Sequence, residues 1–300
     1  MSQTTQQIGE KQVILSRPYA LTLTSPLVGR QSEMEMITAA WMTGPDRLPL
    51  SPLLLGEPGV GKNRLVYELA NRTGKDLYIF QGHEDVTAED LACAVRFSDQ
   101  GRGRMDYIVS PLVTAMLKGG ICFIDEIAKI RPRALALLVS VLDERRYIDS
   151  TLLGERVSAH EGFRFVAATN TADLEGNAMP EFLKSRMRPV VTVGYPPKAE
   201  IEQIVRSRHA RLENQTENLL TAFWIEWEKI NPDTSPTPRD VVYAFNLAVS
   251  LADFEAVGGL GDGSAGRLSL DPKVRAETLR EEHLTRALDE LSRQQKETAK

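Results

Sequence analysis

The chain has 300 residues, 42% apolar and 26% charged, with 41 acidic against 36 basic side chains, a net charge of −5 and a pI of about 5.6. That length allows one or two domains with a sizeable core, and the acidic balance argues against broad nonspecific attachment to DNA or anionic membranes. Cys93 and Cys122 form no CxxC pair, so neither a disulfide framework nor a cysteine zinc site is suggested, and neither a membrane-spanning apolar run nor a signal core is present, so a cytoplasmic protein is expected.

In chain order, the polar stretch Met1–Gln12 reads as part of a flexible tail over residues 1–25. A helix follows from Ser32 to Met42, with Ser32 and Glu35 at capping-box spacing. Strands are expected at Pro52–Leu55, Leu77–Gln81, Ile121–Ile124, Phe163–Thr169 and Val190–Val193. Helices are expected between them at Arg64–Arg72, Ala88–Ala94, Pro111–Leu117, Pro132–Leu142 and Pro180–Lys184. Short apolar strands alternating with helices predict parallel βαβ units in an open α/β sheet over residues 26–196. Beyond Pro196-Pro197 only helical signals remain, at Ala199–Leu212, Glu217–Ile230, Pro238–Ala256 and Pro272–Leu291. Residues 197–300 therefore read as a small all-helical domain. Its glycine-rich run Gly258–Gly266 has no strand feeding it and is expected to be a connector.

The densest chemical signal is Leu53-Leu54-Leu55-Gly56-Glu57-Pro58-Gly59-Val60-Gly61-Lys62. An apolar strand runs into a glycine-rich loop and then a helix, which is the phosphate-binding arrangement. Glycines let successive backbone N–H groups face phosphate oxygens, and the helix adds its positive end. Lys62 is expected to reach the β- and γ-phosphates. Asn63 stands where a Ser or Thr hydroxyl ordinarily binds Mg²⁺. The second signal is Ile121-Cys122-Phe123-Ile124-Asp125-Glu126, a buried strand ending in two carboxylates. Asp125 is placed to hold Mg²⁺ through water, and Glu126 to polarise an attacking water. Phe165–Asn170 is a third such strand, with Asn170 at its end. Arg186 and Arg188 follow the short helix at Pro180, and Arg239 opens the helix after Thr237-Pro238.

Together these residues resemble an AAA+ ATPase in the correct order over residues 26–295. Gly56–Lys62 is similar to a Walker A loop and Ile121–Glu126 to Walker B. Asn170 is similar to sensor 1, Arg186 to the arginine finger, Arg239 to sensor 2, and Val28-Gly29 to the short motif beside the adenine. Three further stretches, His83–Leu91, Ser110–Met116 and the hairpin-like segment between Pro132 and Phe163, resemble the MoxR-like group that includes CbbQ, NorQ and gas-vesicle-type ATPases. The resemblance implies a P-loop AAA+ core with a five-stranded parallel sheet in order 5-1-4-3-2 and a helical lid. It implies ATP and Mg²⁺ as cofactors, held by Val28, Gly29, Gly56, Glu57, Pro58, Gly59, Val60, Gly61, Lys62, Asn63 and Arg64, with the metal on Asn63 and Asp125. Glu126, Asn170, Arg186 and Arg239 would act in catalysis.

The same resemblance implies a homo-oligomeric ring, commonly hexameric, that remodels or activates a protein client, often one with a von Willebrand A domain. Two other readings compete. Asn63 favours a switch that binds ATP and hydrolyses it slowly. Arg145, Arg146 and Arg156 keep a nucleic-acid-handling ATPase in view, against the acidic pI and the lack of an appended DNA-binding module.

Overall fold

A computed structural model describes residues 4–23, 25–98, 105–176, 179–212, 214–256 and 279–298. The expected Gly258–Gly266 connector, residues 1–3 of the expected tail and the first part of the expected Pro272–Leu291 helix lie outside these residues. The chain divides into one unit of residues 1–23, 30–58 and 62–194, and a second of residues 24–29, 59–61 and 195–300.

The first unit begins with β1 (Thr5–Ile8), β2 (Lys11–Ile14), α1 (Gln31–Trp41), β3 (Leu53–Leu55), α2 (Lys62–Thr73), β4 (Leu77–Gln81) and α3 (Ala88–Ala92). It continues through β5 (Cys93–Phe97), β6 (Met105–Val109), α4 (Pro111–Lys118), β7 (Ile121–Asp125), α5 (Pro132–Leu135) and α6 (Val139–Leu142). It ends with β8 (Tyr147–Ser150), β9 (Glu155–Ser158), β10 (Arg164–Thr169), α7 (Thr171–Gly176), α8 (Glu181–Lys184) and β11 (Val190–Thr192).

The main sheet has five strands in the order β11-β3-β10-β7-β4, all parallel. Numbering only these strands along the chain gives the expected order 5-1-4-3-2. Its central strands read as continuous apolar runs because both faces are covered: Ile121, Cys122, Phe123 and Ile124 are all fully buried. The helix before this strand is tightly specified. Ser110 Oγ caps α4 by accepting from Val113 N at 3.1 Å, Pro111 opens the helix, and Gly119 closes it at φ +72°. Only Gly119 and Gly120 thus separate α4 from β7.

Four features depart from the sequence reading. First, residues 5–14 are a hairpin and not a tail. β1 and β2 join a separate four-stranded sheet in the order β1-β2-β6-β5, and Ile8, Val13 and Leu15 are buried in the core. Ile8, Val13 and Leu15 anchor a segment otherwise rich in Thr, Gln, Glu and Lys, so composition alone misleads. Second, the expected helix at Ala88–Ala94 stops at Ala92, and Cys93 turns extended into β5, which pairs with β6. Third, Ser32 does not cap α1. Arg30, at φ +66°, is the N-cap, and its guanidinium bonds Glu33 Oε1 at 3.0 Å and Gly194 O at 2.7 Å, so the helix begins one residue early. Fourth, Pro132–Leu142 is not one α-helix. A 3₁₀ turn, Ala136–Leu138, divides α5 from α6, although the backbone stays right-handed throughout.

The second unit holds α9 (Lys198–Arg208), α10 (Thr216–Ile230), α11 (Pro238–Ala256) and α12 (Glu281–Thr298). Ile201, Val205, Phe223, Trp227, Val241, Phe245, Leu284 and Leu288 make its core. Phe223 stands at its centre, 5.9 Å from the rings of both Trp227 and Phe245. α11 starts with a reciprocal cap: Asp240 N donates to Thr237 Oγ1 at 3.2 Å, and Thr237 N donates to Asp240 Oδ2 at 2.9 Å. Gly59 lies beside this turn. At φ +89°, a Cβ there would sit 2.7 Å from Thr237 Oγ1 and 3.1 Å from Arg239 Cβ, so only glycine fits.

Candidate active site

Parallel strands deliver their C-terminal ends to one edge of the sheet, where open α/β sheets bind ligands. In this chain β3 leads into Gly56, β7 ends at Asp125, β10 leads into Asn170, and β4 ends at Gln81. α2 starts at Lys62, directly after the loop.

The Lys62 side chain is folded inward, with the residue only 7% exposed. Its ammonium donates to Gly56 O at 2.7 Å, Glu57 O at 3.1 Å and Asn170 Oδ1 at 2.8 Å. A buried cation needs acceptors of this kind. Asn170 is oriented in turn, since its Nδ2 donates to Asp173 Oδ2 in α7 at 3.2 Å. The amide oxygen therefore faces the lysine.

Asp125 is held from two sides. Its Oδ1 accepts from Glu126 N at 3.0 Å and its Oδ2 from Asn63 Nδ2 at 2.7 Å. Glu126 sits in the left-handed region at φ +54°, uncommon for a residue with a side chain. Its Oε2 accepts from Gln81 Nε2 at 3.0 Å and pairs with Lys129 Nζ at 3.0 Å. That pairing raises the Lys129 pKa above its ordinary value. Gly82 N donates to Asp125 O at 2.8 Å, and a Cβ on Gly82 would meet Glu126 O at 2.5 Å, so the close approach of β4 to this turn requires glycine.

Tyr67, near Asp125 and Asn63, belongs to a tyrosine pair. Tyr19 and Tyr67 stack with ring centres 5.1 Å apart. Burial, with the neighbouring Tyr19 hydroxyl and the Asp125 charge adding to it, pushes the Tyr67 pKa up to about 12, against the opposing hydrogen bond from Asn63. Tyr67 is thus a neutral phenol at any physiological pH.

The structure therefore brings Lys62 to Asn170 and Asn63 to Asp125, and sets Glu126 beside Asp125. Val60 is buried, and Arg64 is half-buried on the first turn of α2. In the second unit Val28 is buried, and Gly29 at φ +67° lies against Glu200, whose carboxylate a Cβ would overlap at 2.2 Å. Arg186 is not bonded to any of the residues above. Its Nη1 donates to Phe182 O at 2.7 Å and its Nε lies 3.8 Å from Asp143 Oδ2, while Arg188 is exposed. Gln81, Lys129, Asp173, Tyr19 and Tyr67 went unread in the sequence. Gln81 could have been found as the polar end of an expected strand; the others depend on pairings that no local pattern carries.

The donor set fits a hydrated Mg²⁺ ion, which one or two carboxylates plus phosphate oxygens and waters ordinarily hold. Asp125 supplies the hard oxygen. Asn63 offers an amide oxygen only after its side chain turns, because its NH₂ faces Asp125.

The AAA domain (dynein-related subfamily) matches residues 51–187 of the chain. The denitrification regulatory protein NirQ of Stutzerimonas stutzeri is 32% identical over 180 residues, which cover 58% of this chain and 60% of that protein. The chain thus spans less than two thirds of NirQ. CbbQ of Hydrogenophilus thermoluteolus is 28% identical over 219 residues, 72% of this chain and 78% of CbbQ. Among solved structures, the Thermotoga maritima RuvB Holliday junction branch migration motor superposes with a TM-score of 0.53 at 17% identity, over 88% of this chain and 70% of RuvB. At that identity the likeness concerns the fold alone. Among the described residues, no helix is long and apolar enough to cross a membrane.

Proposed function

We propose that the chain is an AAA+ ATPase of the MoxR-like group, as the AAA domain match and the likeness to NirQ and CbbQ support, and that it binds ATP with Mg²⁺ and hydrolyses it to ADP and phosphate. The observation that supports this best is the position of Lys62, with its ammonium between the loop carbonyls and Asn170 Oδ1. These acceptors hold the cation where a phosphate chain cradled by Gly56–Gly61 would displace some of them. By the resemblance, Gly56, Glu57, Pro58, Gly59, Val60, Gly61, Asn63 and Arg64 would frame the phosphates, and Val28-Gly29 would meet the base. Glu126 orients and deprotonates the attacking water. Asn170 holds that water's far side, and Arg239 and Arg186 neutralise charge on the γ-phosphoryl group. Asp125, through water, and Asn63, once its amide turns, would hold Mg²⁺, which would offset phosphate charge when bound.

An arginine that meets γ-phosphate from outside its own subunit implies assembly, so we read the active form as a homo-oligomeric ring, hexameric by family analogy. Its work would be to remodel or activate a protein client, for which a von Willebrand A domain protein is the favoured chemistry. NirQ's description as a regulatory protein is consistent with that role. The slow-switch reading has a specific observation in its favour, since Asn63 occupies Asp125 with an NH₂ group. The nucleic-acid reading loses its main support: Arg145 pairs with Asp143 at 2.7 Å and Arg156 with Asp149 at 2.8 Å, so neither offers an uncompensated charge to a phosphate backbone.

Titration calorimetry with Mg²⁺-ATP tests the proposal. Lys62→Ala should weaken binding more than tenfold, a loss above about 1.4 kcal/mol, with the fold retained. A folded Lys62→Ala protein that binds ATP like the unmodified chain would overturn it.

A further inference from the structure

Asp143 lies between two arginines from different parts of the α/β unit. Arg145, which leads into β8, grips it with several donors: Nη2 to Oδ2 at 2.7 Å, Nε to Oδ1 at 3.1 Å and backbone N to Oδ1 at 3.0 Å. Arg186, which follows α8, comes only to 3.8 Å from Oδ2 with its Nε. That distance is too long for a hydrogen bond. The Arg186 Nε is nevertheless buried and makes no hydrogen bond at all. Its guanidinium hangs from Phe182 O by Nη1 and is 31% exposed, whereas the Asp143 side chain is 12% exposed. A carboxylate meets one guanidinium fork at a time in the bidentate geometry that is strongest. Here both oxygens are committed to Arg145.

The grip on Arg145 is connected to the β8–β9 hairpin. Arg145 lies over the ring of Tyr147, the first residue of β8, at 5.7 Å. Arg156 on β9 lies over the same ring at 3.8 Å and is tied to Asp149. A displacement of this hairpin therefore carries Arg145 with it.

We propose that Asp143 is a positioning residue that selects between Arg145 and Arg186, and that Arg145, by occupying Asp143, leaves Arg186 free to reach a neighbouring subunit's γ-phosphate. This rests on the reading of Arg186 as a finger acting in trans. When the hairpin withdraws Arg145, Asp143 closes the short gap to Arg186 Nε, satisfies that buried donor and retracts the finger. The hairpin thereby regulates hydrolysis next door without touching nucleotide.

Steady-state ATPase measurements on the full chain, with assembly and folding checked by light scattering and circular dichroism, decide the matter. Arg145→Ala should lower kcat at least about fivefold, the low end of ordinary coupling between sites, with KM for ATP unchanged. Arg145→Gln serves if Arg145→Ala misfolds. Asp143→Asn should keep or exceed the unmodified rate, and Arg145→Ala combined with Asp143→Asn should recover it, since no carboxylate remains to capture the finger. Mixing Arg145→Ala with Lys62→Ala subunits should also restore activity, because the second supplies an unretracted finger to the first one's intact pocket. A purely structural role for Asp143 would instead make the double variant as poor as Arg145→Ala or worse. That result, or an unchanged rate in Arg145→Ala alongside a dead Arg186→Ala, overturns the selection while leaving the finger intact. Full activity in Arg186→Ala would identify the finger reading itself as the failure.

Discussion

Asn63 Nδ2 donates to Asp125 Oδ2 across 2.7 Å, joining the first turn of α2 to the end of β7. At this position a hydroxyl would present an oxygen to a cation; the amide instead donates an N–H to a carboxylate. Turned this way, Asn63 offers a metal no oxygen of its own, and Asp125 Oδ2 is already engaged by an N–H. Asn63→Thr should therefore raise the hydrolysis rate or lower the Mg²⁺ concentration for half-maximal rate. A Mg²⁺ titration of the steady-state rate reads both, and identical curves would make Asn63 an adequate ligand as it stands.

Glu126 is restrained by Gln81 and Lys129. A carboxylate held by an amide and an ammonium must leave those partners before it can meet an attacking water. Gln81→Leu and Lys129→Ala should each increase ATP hydrolysis in the absence of any client, a few-fold in kcat, with little change in KM. Glu126→Gln should abolish turnover on either background. A fall in kcat in both single variants would mean that these two groups aim the carboxylate instead of holding it back.

Arg186→Ala should retain ATP binding and lose most hydrolysis. Mixed with Lys62→Ala it should regain part of the activity, because one interface then joins a competent pocket to an intact arginine. Arg188→Ala in the same mixture separates the two arginines. No recovery in a mixture proven to co-assemble would exclude action in trans.

Trp41 on α1 is 4% exposed and donates from Nε1 to Phe165 O in β10 at 3.0 Å. Trp41→Phe keeps most of the ring but leaves that strand carbonyl without its donor. Urea unfolding should show a loss of about 1–3 kcal/mol, with ATP affinity preserved. A change below about 0.5 kcal/mol would mean that water reaches the carbonyl.

How much of this was legible beforehand follows from what each element depends on. The main sheet was readable because β7 and β10 are buried on both faces and so spell themselves as uninterrupted apolar runs. Lys62, Asp125, Glu126 and Asn170 were readable because each follows an apolar strand in a motif that is local in sequence, and a parallel sheet brings those strand ends together. The small sheet was not. β5 follows α3 without a break, and β1–β2 are polar on the outer face, so their strand character exists only once β6 pairs with both neighbours. Nor could the partners of Glu126 and Arg186 be read. Lys129 lies one 3₁₀ turn onward, and Asp143 lies 43 positions before Arg186 in number, joined to it only by the folded chain.

The β1–β2 hairpin has a consequence for how the chain is handled. β2 lies against β6 in parallel register, Val13 opposite Tyr107 and Ile14 opposite Ile108, and Lys11 reaches from it to Leu152 O at 3.1 Å. Without residues 5–14, β6 becomes an open edge whose unpaired amides invite intermolecular strand addition, and a two-stranded remnant is marginal by itself. An N-terminal truncation made on the evidence of polarity would therefore replace a short, polar edge strand with an inner strand left bare. Aggregation and protease nicking near β6 are the symptoms to expect from such a protein, well before any defect in nucleotide handling.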